Sequence, residues 1–139
     1  MININQNLKG QSVILNEHAL QAQCVRWFRF QYPYPKFVIA AVPNAAKRSM
    51  AVAMMMKAEG MLKGFPDLVV PHSRHGYHHL YIEMKRPKQL KTTHGKYVAG
   101  GTLSPEQKEV HEILIREGNL VKVCDSFETF QELVSFYLK

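Results

Sequence analysis

The sequence predicts a single α/β domain, in the order helix, strand, helix, strand, strand, helix, strand, helix. Three observations predict it. Segments with apolar residues at helical spacing alternate with short apolar runs of strand length. Residues 37–42 are continuously apolar and rich in Val, Ile and Ala, the mark of a strand covered on both faces. The 139 residues, 46% hydrophobic and 21% charged, suffice for one core, and no repeat or linker divides them.

Residues 1–15 read as a poorly specified arm, and 16–139 as the domain. Asn16 caps a helix over 17–31, with Leu20, Cys24, Trp27 and Phe28 on its buried stripe. Trp27 reads as core rather than as a platform for stacking bases. Glu17 falls on the same stripe, where a surface carboxylate is not normally placed. Pro33 and Pro35 end the helix, and Pro43 and Asn44 break the strand over 37–42. Residues 45–59 read as a second helix closed by Gly60, with Met54, Met55 and Met56 expected as core filler.

A short strand over 65–70 follows, entered through Pro66, and 71–76 form a turn. Residues 78–85 alternate, with Leu80, Ile82 and Met84 on one face and Tyr81, Glu83 and Lys85 on the other. Residues 86–102 hold Arg86, Lys88, Lys91 and Lys96, no acid and three glycines, so a mobile basic loop is expected. Ser104-Pro105-Glu106-Gln107 is a helix start with Ser as cap, Pro at the first position and Gln three residues after the cap. Val110, Ile113 and Leu114 form that helix's stripe and Gly118 closes it. Leu120–Cys124 is a strand. Ser126 leads a last helix whose buried side carries Phe127, Phe130, Val134, Tyr137 and Leu138.

Composition excludes a disordered chain, a collagen-like chain and a coiled coil. The longest apolar runs, 37–43 and 50–56, fall far short of the roughly 20 residues of a membrane span. The start, MININQNLKG, has no signal-peptide character, and two cysteines are too few for a disulfide framework. A cytoplasmic location is expected. Residues 1–102 carry 14 Lys and Arg against 4 Asp and Glu, while 103–139 carry 4 against 7. So basic a stretch suggests a polyanionic partner, most simply nucleic acid; the plainer alternative is charge for solubility.

The few acids in that stretch are Glu17, Glu59, Asp67 and Glu83. Carboxylates repel phosphate, so a nucleic-acid-binding region that keeps them suits a metal ion. Pro66-Asp67, followed sixteen residues on by Glu83-Met84-Lys85, supplies what phosphodiester hydrolysis needs. If the two strands pair, the carboxylates converge, and Lys85 projects from the face of Glu83. The alternative is a surface hairpin with an incidental Glu/Lys pair.

Glu17, Ala41-Val42-Pro43-Asn44, Gly64-Phe65-Pro66-Asp67-Leu68, Ile82-Glu83-Met84-Lys85 and Leu103-Ser104-Pro105-Glu106-Gln107 together resemble the VRR-NUC family, a branch of the PD-(D/E)xK nucleases. The resemblance runs from about residue 16 to the C-terminus, and the small stand-alone form is similar to phage or prophage members, which would place the protein in a bacterial host cell. It implies a restriction-endonuclease-like core, α-β-β-β-α-β, with an inserted helix after the first strand and a C-terminal helix. It implies Asp67 and Glu83 as ligands of Mg²⁺ or Mn²⁺, Lys85 as catalytic lysine, Glu17 as a helix-borne acid and Gln107 as a polar site residue. The Met84 backbone carbonyl is a further expected ligand, and Glu17 is expected to reach the metal directly or through water. A basic insert separates Lys85 from Leu103, where many relatives have a shorter link.

Asn44, Lys47, Arg48, Lys63, Arg86, Lys88, Lys91 and Lys96 are candidate DNA contacts. His72, His75, His78 and His79 match no common zinc spacing, and a solvated hairpin tip is expected over a zinc site. The sequence thus points to a metal-dependent DNA endonuclease. The resemblance implies branched DNA, Holliday junctions or flaps, as substrate, and cutting two strands would suit a homodimer. The competing reading is a non-catalytic nucleic-acid-binding module on the same fold.

Overall fold

The computed structural model describes residues 16–44, 48–91, 96–98 and 100–139. The arm over 1–15 and the expected start of the second helix, with Lys47, lie outside the described residues. The elements are α1 (Glu17–Gln31), β1 (Ala40–Ala41), α2 (Met50–Ala58), β2 (Leu68–Val70), β3 (Leu80–Met84), β4 (Gln89–Lys91), β5 (Lys96–Val98), α3 (Pro105–Arg116), β6 (Leu120–Cys124) and α4 (Phe127–Tyr137). No helix among them is long and apolar enough to cross a membrane.

Four strands form a mixed sheet in the order β1-β2-β3-β6. The first three run antiparallel to their neighbours, and β6 joins β3 in parallel after the α3 crossover. Leu68 and Val70 pair with Ile82 and Leu80, so these four share one face with Met84. Leu20, Cys24 and Phe28 of α1 and Phe130, Val134 and Tyr137 of α4 join that face in one core. Each such side chain, fully buried, contributes about 1.5–3 kcal/mol relative to exposure. Trp27 sits edge-on to Tyr32, Phe127 and Phe130 at 6.0–6.2 Å, as a half-buried margin of the core. Burial pushes the Cys24 thiol up to about 12 and the Cys124 thiol up to about 11, so neither is a nucleophile at neutral pH.

The helix starts follow their caps. The Asn16 side chain accepts from the Ala19 N–H at 2.7 Å, and Ser49 and Ser126 cap α2 and α4 in the same way. At α3 the full capping box forms, with Pro105 in the first turn.

Four expectations need correction. The apolar run 37–42 was expected as a strand covered on both faces, but β1 is a two-residue edge strand with both residues exposed. Phe37 instead packs on the rings of Tyr32 and His72, and Ile39 enters the core, so the run is used before pairing begins. The second helix begins at Met50, where Ser49 caps it, and buries no residue. Met54 and Met55 are exposed rather than core filler, and Met56 is only half-buried. The basic segment after Lys85 carries a hairpin, with β4 and β5 paired antiparallel, where a loop was expected. On α3, Ile113 is 40% exposed rather than buried, and His111 is buried beside Val110.

In the β2–β3 turn His75 and His78 are exposed, as expected of a solvated tip, while His72 and His79 are half-buried, and each ring has a partner. His72 Nε2 accepts from the Val38 N–H at 2.9 Å. Burial first, and then the Arg74 charge, hold its pKa below the ordinary value. His75 stacks on Phe136 at 4.7 Å, His78 lies against Gly118, and His79 meets Asn119 at 3.3 Å. Four rings have four separate partners and pin the turn to α4 and to the lead-in of β6.

Gly64 positions β2 against α3. Its φ is +92°, and a Cβ there would lie 2.5 Å from the Glu106 carbonyl oxygen. Gly64→Ala combines a strained backbone with a backbone clash, so it is expected to destabilise by about 2 kcal/mol or more, read as a lower urea midpoint.

Candidate active site

β2 and β3 bring the two sequence-predicted carboxylates together. Asp67 immediately precedes β2 and Glu83 lies on β3. Because Leu68 is opposite Ile82, the next position places Asp67 opposite Glu83. The Asp67 Oδ2 accepts the Met84 backbone N–H at 2.7 Å. Both carboxylates are buried, Asp67 at 8% exposure and Glu83 at 1%. Burial first, and then the charge and hydrogen bonding of Asp67, hold Glu83 well above the usual carboxylate range, while Lys85 pulls the other way.

Lys85 follows on the same face, also at 8% exposure. Its Nζ donates to Gln107 Oε1 at 2.8 Å. That oxygen also accepts the Ser104 N–H at 2.9 Å, closing the α3 capping box. The other end of the amide, Nε2, donates to Glu83 Oε1 at 2.9 Å. Gln107 is thus locked by its own helix start and held between the acid and the lysine. Substitution by Glu would cap the helix equally well but set a third carboxylate against Glu83.

His111 was not anticipated. It lies one turn beyond Gln107, and its Nε2 meets the second Glu83 oxygen, Oε2, at 3.2 Å. Burial first, and then the Lys85 charge, lower its pKa, which favours the neutral ring in this contact. The signal was present in the i, i+4 spacing from Gln107.

Glu17, at the first turn of α1, lines the same cavity as Asp67, Glu83 and Gln107. Burial first, and then the Asp67 charge, raise its pKa. Among the described residues no three acidic, histidine or cysteine side chains form a ready-made metal cage.

The candidate DNA contacts scatter around this site. Arg48 Nε donates to the Asn44 carbonyl at 3.3 Å, and both residues are exposed. Lys63 pairs with Glu106 at 3.2 Å on the surface. Arg86 and Lys88 are exposed just past β3, and Lys91 and Lys96 are register partners in the hairpin.

The family model of the VRR-NUC domain matches residues 4–128. The chain belongs to the VRR-NUC family. A solved structure described as a VRR_NUC domain protein matches with a TM-score of 0.66 and 24% identity, over 89% of this chain and 88% of that one. No curated protein matches the chain. VRR-NUC membership implies a nuclease of the PD-(D/E)xK type, acting on DNA, and nucleases of that type typically use a divalent metal.

Proposed function

We propose that this VRR-NUC chain is a Mg²⁺-dependent DNA endonuclease, structure-selective for branched DNA such as Holliday junctions or flaps. The observation that carries the reading is the buried pair Asp67–Glu83 tied through Gln107 to the buried cation Lys85. Two carboxylates facing each other out of water are destabilised unless protonated or joined by a cation.

The donor set fits a hard ion. It offers two carboxylates and no soft ligand, leaving positions for water and phosphate, the habit of Mg²⁺; Mn²⁺ would substitute. The Met84 N–H points at Asp67, and a strand residue's carbonyl leaves on the same side as its N–H, which favours the Met84 carbonyl as a third ligand. Glu17, half-buried on the wall of the same cavity, would reach the ion directly or through water. A bound divalent ion supplies charge neutralisation on the phosphate and a more acidic water.

The chain's own residues supply the rest. Asp67 and Glu83 fix the ion's place, and His111 and Gln107 fix Glu83. Lys85 holds its ammonium on the Glu83 face, where it orients the attacking water and offsets charge that grows on the phosphate as a bridging P–O bond breaks. No base-reading motif is visible in the sequence, so selectivity would come from backbone shape, and paired cuts across a junction would call for a homodimer.

The test incubates the protein with Mg²⁺ or Mn²⁺ and linear, flap, fork and four-way-junction DNAs. Branched substrates should be cut, and Asp67→Ala should lose both cleavage and Mg²⁺ binding by titration. Tight DNA binding without cleavage of any substrate would leave the non-catalytic binding module.

The basic segment after β3 is read as a phosphate-tracking arm. Replacing Arg86, Lys88, Lys91 and Lys96 together by Ser should weaken DNA binding. It should also flatten the slope of log K against log[salt] by about one unit per lost phosphate contact. An unchanged slope would remove these side chains from the backbone interface.

A further inference from the structure

α2 is the part of the fold that its own packing does not explain. It is apolar, with four methionines in nine residues, yet it buries none of them. Met50 is 80% exposed and Met54 67%. Open cavities lie on both sides of it. The larger, about 910 Å³, has Met50, Met54 and Leu62 on its wall together with the acids Glu17, Asp67 and Glu83, and Lys57, Lys63, Glu106 and Glu109 line it as well. The cavity thus joins the exposed methionines of α2 to the acid pair in one space, and its size is that of a site for a small organic ligand.

We propose that the methionine wall of this cavity receives an unpaired nucleobase of the substrate strand, adjacent to the phosphate held at the acid pair. The inference rests on the nuclease reading and names what that site selects. A phosphate fixed at Asp67 and Glu83 leaves its neighbouring nucleotide only the continuous cavity or the solvent to enter. Thioethers and aliphatic chains offer nothing to sugar or phosphate, but they cover the face of a base. In a duplex that face is already stacked; only an unpaired nucleotide gains by moving it. Flexible methionines adapt to any of the four bases, so the site reads the absence of pairing and not sequence. A branch point, where nucleotides can leave the stack, meets that requirement at the scissile position.

The experiment measures binding and cleavage separately. Two DNAs carry 2-aminopurine beside the scissile phosphate, one with that base unpaired and one fully paired. Binding is followed by fluorescence in Ca²⁺, and cleavage in Mg²⁺. Met50 and Met54 are exposed, so Met50→Gln with Met54→Gln should keep the fold, checked by circular dichroism and Tm. The double variant is expected to bind the unpaired DNA about tenfold more weakly, with the wild-type fluorescence change lost. Its affinity for the paired DNA should change less than twofold. Equal affinities for both DNAs in wild type and variant would overturn the inference. So would a wild-type dimer that the double variant turns into a monomer, which would give the groove to a second copy of the chain. If the base-dependent binding is present but the wild type cuts nothing in Mg²⁺ or Mn²⁺, the nuclease reading fails and the base site stands. If cleavage is intact and the variant keeps full discrimination, the base site fails and the nuclease reading stands.

Discussion

Lys85→Ala is expected to slow single-turnover DNA cleavage by on the order of 10²-fold or more, the usual loss when a preorganised electrostatic group is removed. DNA affinity measured in Ca²⁺ should barely move. The chain carries 18 Lys and Arg, and removing one buried ammonium leaves the surface cations that supply ground-state attraction. The asymmetry follows from where the side chain sits. Its Nζ is held by Gln107 beside Glu83, ready for charge that develops only during reaction. Lys85→Arg should not restore the rate. A planar guanidinium does not reproduce a compact point charge. The channel is also tight, since even a Cβ on Gly101 would lie 3.1 Å from the Lys85 Cδ. Wild-type cleavage by Lys85→Ala would show that the ExK lysine has another task.

The helices with strong caps were legible in the sequence. Asn16, Ser104 and Ser126 each satisfy an orphan N–H of the first turn, and those three helices begin where the caps stand. Leu120–Cys124 was legible because a Gly118 turn and the Ser126 cap bound it on both sides. The acid pair and Lys85 were legible as types and spacing, and alternation put Glu83 and Lys85 on one face.

What was hidden depends on neighbours distant in sequence. A continuous apolar run such as 37–42 reads alike whether its side chains meet a second strand or the rings of Tyr32 and His72. The methionines of α2 have the composition of core, but nothing in composition says whether a partner element arrives to cover them. The role of Gln107 in joining acid to lysine needed the register that sets α3 over β3. His111 needed the same register to reach Glu83. The pairing of β4 with β5 was hidden by the glycines and lysines of the segment, which read as loop because strand propensity depends on a pairing partner.

Asp67→Asn is expected to abolish metal-dependent cleavage, by on the order of 10³-fold, and at the same time to stabilise the metal-free protein at neutral and alkaline pH. Burial, and then Asp67, raise the folded-state pKa of Glu83 above its value in the unfolded chain. The folded protein therefore binds this proton more tightly than the unfolded chain does. The resulting stability is complete below the ordinary carboxylate range and is lost as pH rises from there through neutrality toward the raised folded-state pKa. Wild type without metal should thus lose Tm across that window. Mg²⁺ should restore it, increasingly so at higher pH, because the ion binds the ionised pair. The amide introduced by Asp67→Asn keeps an oxygen for the Met84 N–H and places no charge against Glu83. The metal-free variant should then show a flatter Tm profile, higher than wild type at pH 8 by a few degrees, or about 1–2 kcal/mol. Mg²⁺ should add little to it. The measurement is Tm from pH 5 to pH 9, with EDTA and with Mg²⁺, beside cleavage in Mg²⁺. A wild-type Tm that rises with pH in EDTA would overturn the assignment of electrostatic strain to this pair. Full activity in Asp67→Asn would overturn its role in holding the ion.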